Sequence, residues 1–393
     1  MSSEVIKIFK GVFLICENLC NLWTNDFLNV SAPTHIPPFM RKIILNLHLY
    51  GALIAGIFLI ILGVTGAIIA FEDDLDRLFN ARLYKVELQP TALSITAIVA
   101  ALEKAYPAKH ISLLRLPAHP SDAYITQLGS KQIFINGYTG AIIGERTTPT
   151  LLNQIHQLHM RLLAGNTGAE ITKWTAVLSV FLILSGLYLW FPLKMARIKL
   201  AAPRRKFSYQ IHNVAGIYFA LFLFVLSLTG IVLGFDEIIT PWFYKVTHTS
   251  PPPRNFPSIV QPGGNPITAD DALNLARATL PGATPSYIVI PQKPAVSFMV
   301  SLRFPEDLTG GRSWVNIDQF SGKVLFVENS RTPTAGAGII NLNRAIHTGD
   351  IYGYPTKILM SLSSLMLAIQ VITGYCMWWK KLCSRSPAQS SRE

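Results

Sequence analysis

Nine histidines punctuate the 393-residue chain, and four of them fall into two spaced pairs whose imidazoles could bind metal. His48 stands near the start of a long apolar run, and His212 near the start of another, 164 positions later. Thr65-Gly66 and Thr229-Gly230 keep that offset, as do Phe71-Glu72 and Phe235-Asp236. His159 and His347 differ by 188, the offset that also relates Gly186 to Gly374 and Trp190 to Trp378. A lone histidine at a membrane boundary is usually just an interfacial polar residue, but the matched offsets set these four apart. Ionisable groups kept within apolar spans are costly, which makes them functional candidates. Facing imidazoles in a helix bundle can supply both axial ligands of a haem iron.

The expectation is two haems, with His48 and His212 on the inner iron and His159 and His347 on the outer. His156 lies three residues before His159 on the same helical face and competes with it, as ligand or as propionate partner. Arg161 and Arg344, beside the outer histidines, are candidate partners for propionates. His35, His110, His119 and His248 have no matched counterpart and read as loop residues. From His48 to Thr65 is 17 residues, roughly 25 Å of helical rise. Haems at those two depths would form an electron path through a bilayer.

The elements that must hold these residues are membrane helices. Half of the residues are hydrophobic and 14% are charged. About 20 apolar residues at 1.5 Å each cross a bilayer core, and four runs qualify: Ile43–Phe71, Trp174–Phe191, Ile211–Phe235 and Ile358–Trp379. The net charge of +12 does not indicate nucleic acid. Its cations cluster at Arg41-Lys42, at Lys194, Arg197, Lys199 and Arg204-Arg205-Lys206, and at Lys380-Lys381 and Arg385. Nearly all carboxylates sit in the other two connections, so the positive-inside pattern puts both termini in the cytoplasm. Cys16, Cys20, Cys376 and Cys383 all fall on that side or in the bilayer, and no disulfide framework is expected.

In order, residues 1–40 read as an amphipathic interfacial helix without a cleavable leader, and 41–72 as the first span. Residues 73–148 form an external α+β module, opened by the acidic turn Glu72-Asp73-Asp74-Leu75-Asp76, read as a solvated boundary. Within it, Ala92–Ala105 has helical spacing, Ser112–Leu116, Ala123–Leu128 and Lys131–Asn136 read as strands, and Gly137-Tyr138-Thr139-Gly140 as a turn. Residues 149–193 comprise a surface helix and the second span, 194–209 a basic cytoplasmic loop, and 210–236 the third span. Residues 237–333 repeat the external order after a proline-rich linker, Ser250–Pro266. Its capped helix begins at Thr268, strands lie near Tyr287–Ile290, Ser297–Arg303 and Ser313–Ile317, and Asp318 through Lys323 supplies the turn. Residues 334–382 hold a surface segment and the last span, and 383–393 a cytoplasmic tail. The fold class expected is a bundle of four transmembrane helices with two external α+β modules, arising by internal duplication.

Several segments carry a resemblance. Leu47-His48-x-x-Gly51 with Thr65-Gly66, Leu158-His159 with Ser185-Gly186-Leu187-Tyr188-Leu189-Trp190, and Ile346-His347-Thr348-Gly349-Asp350-Ile351-Tyr352-Gly353 resemble the PepSY-associated transmembrane family. The external segments, ending in Asn136-Gly137-Tyr138-Thr139-Gly140 and Asp318-Gln319-Phe320-Ser321-Gly322-Lys323-Val324, resemble PepSY domains. The chain is similar to iron-regulated proteins of the bacterial inner membrane, including di-haem ferric-siderophore reductases. That resemblance implies two b-type haems, a periplasmic ferric siderophore or other iron chelate as substrate, and electrons delivered from inside. No dinucleotide fingerprint or flavin-sized domain follows a strand, so the donor is external, a membrane quinol or a separate flavoprotein. Lowering the charge of iron weakens its hold on hard oxygen donors, which would loosen the chelate. The rival reading is a haem-free membrane protein that binds peptide, peptidase or ligand on its outer face, or a transport component.

Overall fold

A computed structural model describes residues 38–107, 109–191, 204–253, 255–260, 264–308 and 311–383. The helix expected over residues 1–40, with Cys16 and Cys20, lies almost wholly outside the described residues, as does most of the basic loop. The chain opens with α1 (Pro38–Ile69), α2 (Glu72–Phe79), α3 (Ala81–Tyr84) and α4 (Ile95–Ala105). Strands β1 (Leu113–Arg115), β2 (Tyr124–Leu128), β3 (Lys131–Ile135) and β4 (Ile142–Thr147) follow, then α5 (Leu151–Arg161) and α6 (Gly165–Trp190). After α7 (Arg204–Gly234), α8 (Asp236–Val246) and α9 (Ala269–Thr279) come β5 (Thr284–Val289), β6 (Phe298–Arg303), β7 (Ser313–Ile317) and β8 (Val324–Glu328). The described chain ends with α10 (Ala335–Thr348), a 3-10 turn over Asp350–Tyr352, and α11 (Tyr354–Cys383).

These elements form two compact units. The first contains α1, α6, α7 and α11, the four helices long and apolar enough to cross a membrane. Around the bundle α1 packs on α6 and α11, and α7 packs on the same two, so α1 and α7 face each other across a diagonal. Apolar side chains such as Ile54, Leu184 and Leu221 face outward, whereas Thr65, Thr175, Ser179, Ser185, Ser227, Thr229, Ser363 and Thr373 are buried. With no water in hydrocarbon, small residues and interhelical hydrogen bonds hold such helices together. At the α1–α11 contact, Ser364 Oγ donates to Gly63 O at 2.9 Å and Tyr375 OH to Leu53 O at 3.0 Å. A Cβ on Gly63 would stand 2.6 Å from Ser364 O, so glycine is what lets the two backbones approach.

The second unit is built on one antiparallel sheet of eight strands, ordered β4-β3-β2-β1-β5-β6-β7-β8. Its two halves follow the same helix-then-four-strands order, and β1 joins them by pairing with β5, Leu114 opposite Ile288. Ile98 and Leu102 of α4 share one core with Ala272 and Ala276 of α9 and with Leu114, Ile133, Val300 and Ile317 of the sheet. Asp270 ties the helices together: its carboxylate accepts the Ile95 and Thr96 N–H groups at 2.7 and 2.9 Å, satisfying donors at the start of α4. Both expected turns form. Asn136 Oδ1 accepts Tyr138 N–H at 2.8 Å and Asp318 Oδ1 accepts Ser321 N–H at 2.8 Å, with Gly140 and Gly322 at positive φ.

The acidic stretch read as a solvated boundary is instead the first turn of α2, where Glu72, Asp73 and Asp74 suit the helix dipole. Asp76, four residues in, meets Arg146 of β4 and Tyr84. Burial drives the Asp76 carboxyl upward, but the Arg146 and Tyr84 hydrogen bonds outweigh it and leave its pKa below the usual value. Helix α8 and strand β8 were not foreseen. Helix α8 mixes polar and apolar residues around Pro241, and β8 is a short apolar run, Val324 to Val327, whose type only its pairing with β7 resolves.

Candidate functional site

His48 on α1 and His212 on α7 meet across the bundle diagonal. Their ring centres are 6.4 Å apart with planes at 89°. Two coaxial metal–imidazole bonds of about 2 Å each, plus about 1 Å from nitrogen to ring centre on either side, span roughly 6 Å. The separation therefore suits one metal ion between the rings. Among the described residues no group of three or more His, Cys, Asp or Glu converges.

The orientation of each ring is fixed from the neighbouring helix. His48 Nδ1 lies 2.9 Å from Ser185 Oγ on α6. That hydroxyl already donates its proton to Phe181 O, 2.7 Å away and four residues back, so it can only accept from His48 Nδ1–H. His212 repeats the arrangement on α11. Its Nδ1 lies 3.0 Å from Gln370 O and 3.1 Å from Thr373 Oγ1, and Thr373 donates to Ile369 O at 2.7 Å. A carbonyl cannot donate, so His212 Nδ1 carries the hydrogen. Both rings are thereby held as the tautomer that carries its lone pair on Nε2, the arrangement a metal ligand would need.

A glycine follows each of these hydroxyl residues and makes room for the ring. A Cβ on Gly186 would meet His48 Cε1 at 3.3 Å, and one on Gly374 would meet His212 Cε1 at 3.6 Å. One buried donor at this level, the Gln370 Nε2 amide, has no hydrogen-bond partner among the described residues. Its side chain rests beside Gly216, one turn beyond His212, where an added Cβ would stand 3.4 Å from Oε1. An orphaned amide inside an apolar bundle costs about 1–3 kcal/mol, and a ligand carrying an acceptor would relieve it.

At the other end of α1 the same set recurs with a third histidine. His159 on α5 lies with Nδ1 3.0 Å from Thr65 Oγ1, and Thr65 donates to Ile61 O at 2.6 Å. Gly66 faces the ring, a Cβ there falling 3.1 Å from His159 Cε1. Leu162 and Leu163, both at positive φ, turn the chain between α5 and α6. Left-handed backbone is strained for leucine, so the corner that sets α5 above its span is held by its surroundings. Thr229, 164 residues beyond Thr65, bonds back to Val225 O at 2.7 Å in the same manner.

The structure thus brings His48 and His212 together and places His159 against Thr65. His156 is half-buried one turn earlier on α5, and Arg161 is exposed at that helix's end. His347 and Arg344 lie on α10 in the second unit, His347 half-buried and Arg344 exposed. Sequence reasoning missed Ser185, Thr373 and Gln370 as orienting partners. The available signal was a hydroxyl residue directly before glycine at Thr65, Ser185, Thr229 and Thr373.

A family model described as PepSY-associated TM region matches residues 45–381. The chain belongs to that family, and it is a membrane protein with several apolar helices. No curated protein matches it.

Proposed function

We propose that this protein is a haem-bearing oxidoreductase of a bacterial inner membrane that delivers electrons outward to a ferric chelate such as a siderophore. The carrying observation is the shared posture of His48, His212 and His159. Each gives Nδ1–H to a hydroxyl whose own proton is committed to its helix. Ordinary interfacial histidines have no need of a buried, tautomer-fixing acceptor on a second helix, repeated three times.

In this reading His48 and His212 would hold the inner haem, with Gly186 and Gly374 leaving it space. His159 is an outer ligand, paired with His347 on their sequence offset, and His156, Arg161 and Arg344 serve the outer propionates. A bound b-type haem would supply a one-electron couple at each level. The chain's own part is to fix the ligand tautomers, exclude water from the inner pair and set the two levels roughly 25 Å apart along α1. The basic connection before α7 belongs to the cytoplasm and the eight-stranded unit to the periplasm, its two halves read as PepSY-like modules descended from one duplication. A quinol or a separate flavoprotein supplies electrons.

Absorption spectroscopy of the purified protein tests this. The expected result is a Soret band that sharpens and shifts with dithionite and two haems per chain by pyridine haemochrome. His212→Ala should lose one of the two. A folded, colourless protein that stays colourless after haem is added would overturn the reading and favour a haem-free binding or transport role.

A further inference from the structure

We propose that α8 docks on lipid, lying flat in the headgroup layer with Ile238, Trp242 and Val246 inserted toward the acyl chains. These side chains are 70%, 56% and 53% exposed. They recur every four residues, which makes a single stripe running the length of the helix. The opposite face is occupied within its own unit: Tyr244 is buried and sits against Gly336, where a Cβ would come within 2.5 Å of its ring. One face of α8 is therefore packed and the other, strongly apolar, is left uncovered.

Chain continuity identifies the occupant. The third span ends at Gly234 and α8 begins at Asp236. Two residues span at most about 7 Å, so the helix starts at the bilayer surface. Its 11 residues measure about 16 Å. Standing upright, it would lift Val246 into water; lying flat puts all three apolar side chains at one depth. Trp242 is the residue type enriched at that boundary, and Lys245, beside the stripe, can extend its ammonium to phosphate. The first span shows a parallel feature. Helix α2 starts three residues after Ile69 and exposes Leu78 and Phe79 at 70% and 71%. The same lipid contact is assigned to these two.

Nitroxide accessibility in proteoliposomes tests the proposal, with or without bound haem. Single cysteines replace Ile238, Trp242 or Val246 in a chain whose four native cysteines are substituted, and a label at Leu221 gives the lipid reference. The expected result is strong relaxation by oxygen with about tenfold weaker relaxation by a water-soluble nickel chelate at all three positions. Free access of nickel would overturn the proposal. So would protection from both reagents, because it would mean that protein covers the face.

Discussion

Replacing Ser185 with alanine isolates one physical term at the His48–His212 pair. The change removes the hydroxyl 2.9 Å from His48 Nδ1 and no coordinating atom. Losing an acceptor from a largely buried N–H costs about 1–2 kcal/mol. Removing an outer-shell partner of a ligating histidine usually weakens metal binding 10- to 100-fold. Because 1.4 kcal/mol is about a factor of ten, both estimates converge near tenfold. Haem titrated into apoprotein, followed at the Soret band, should therefore show one site weakened about tenfold and the other unchanged. Ser185→Thr should restore binding, since Thr373 already performs this role for His212. If the alanine variant binds both haems like the parent, or weakens both sites equally, the tautomer-fixing role of Ser185 is wrong.

Other perturbations test the scaffold. Gly63→Ala should destabilise the bundle by about 1–3 kcal/mol, because its Cβ meets the backbone of Ser364 and Ala368. Gly51→Ala, which meets only side chains, those of Leu182, Leu178 and Phe181 at 3.4–4.0 Å, should be tolerated; equal unfolding midpoints in detergent titration would refute the close-approach account. Asp270→Ala should cost about 1–2 kcal/mol and speed hydrogen exchange at Ile95 and Thr96, whereas unchanged exchange there would remove its capping role. Asp318 should make stability pH-dependent. Burial pushes its carboxyl up, but the N–H groups of Ser321, Ile259 and Phe320 and the Ser321 hydroxyl more than offset this and hold it at about 2, below the ordinary 3.8. A depressed carboxylate stabilises the fold fully above its unfolded value. On the order of 1–2 kcal/mol should vanish as pH falls from about 4 to about 2. Urea titrations of the parent and Asp318→Asn should differ in slope over that window, and identical slopes would contradict the assignment.

The primary structure by itself determined the four spans, because apolar length is a local property of the chain. All four expected runs coincide with the membrane helices, and His48 and His212 were paired by offset alone. The helix at Ala92–Ala105, the capped helix after Thr268 and the Asn136 and Asp318 turns were legible for the same reason. Their start signals and turn residues lie within a few positions of one another. The acidic stretch after Phe71 was misread because a first turn rich in carboxylates looks like a loop until Arg146, 70 residues on, arrives to pair with Asp76.

Only tertiary structure decided that β1 and β5 fuse the two halves of the second unit into one sheet, since strand edges carry no label for their partners. It alone also decided which hydroxyls face the imidazoles. Helical spacing tells which residues share a face of one helix, but not the rotation of that helix against its neighbours. The 6.4 Å between the His48 and His212 rings is set by packing of α1 and α7 against α6 and α11, among them contacts such as that of Gly63 with Ser364. Sequence spacing paired His48 with His212, and the fit of four helices against one another brought their rings face to edge across the bundle.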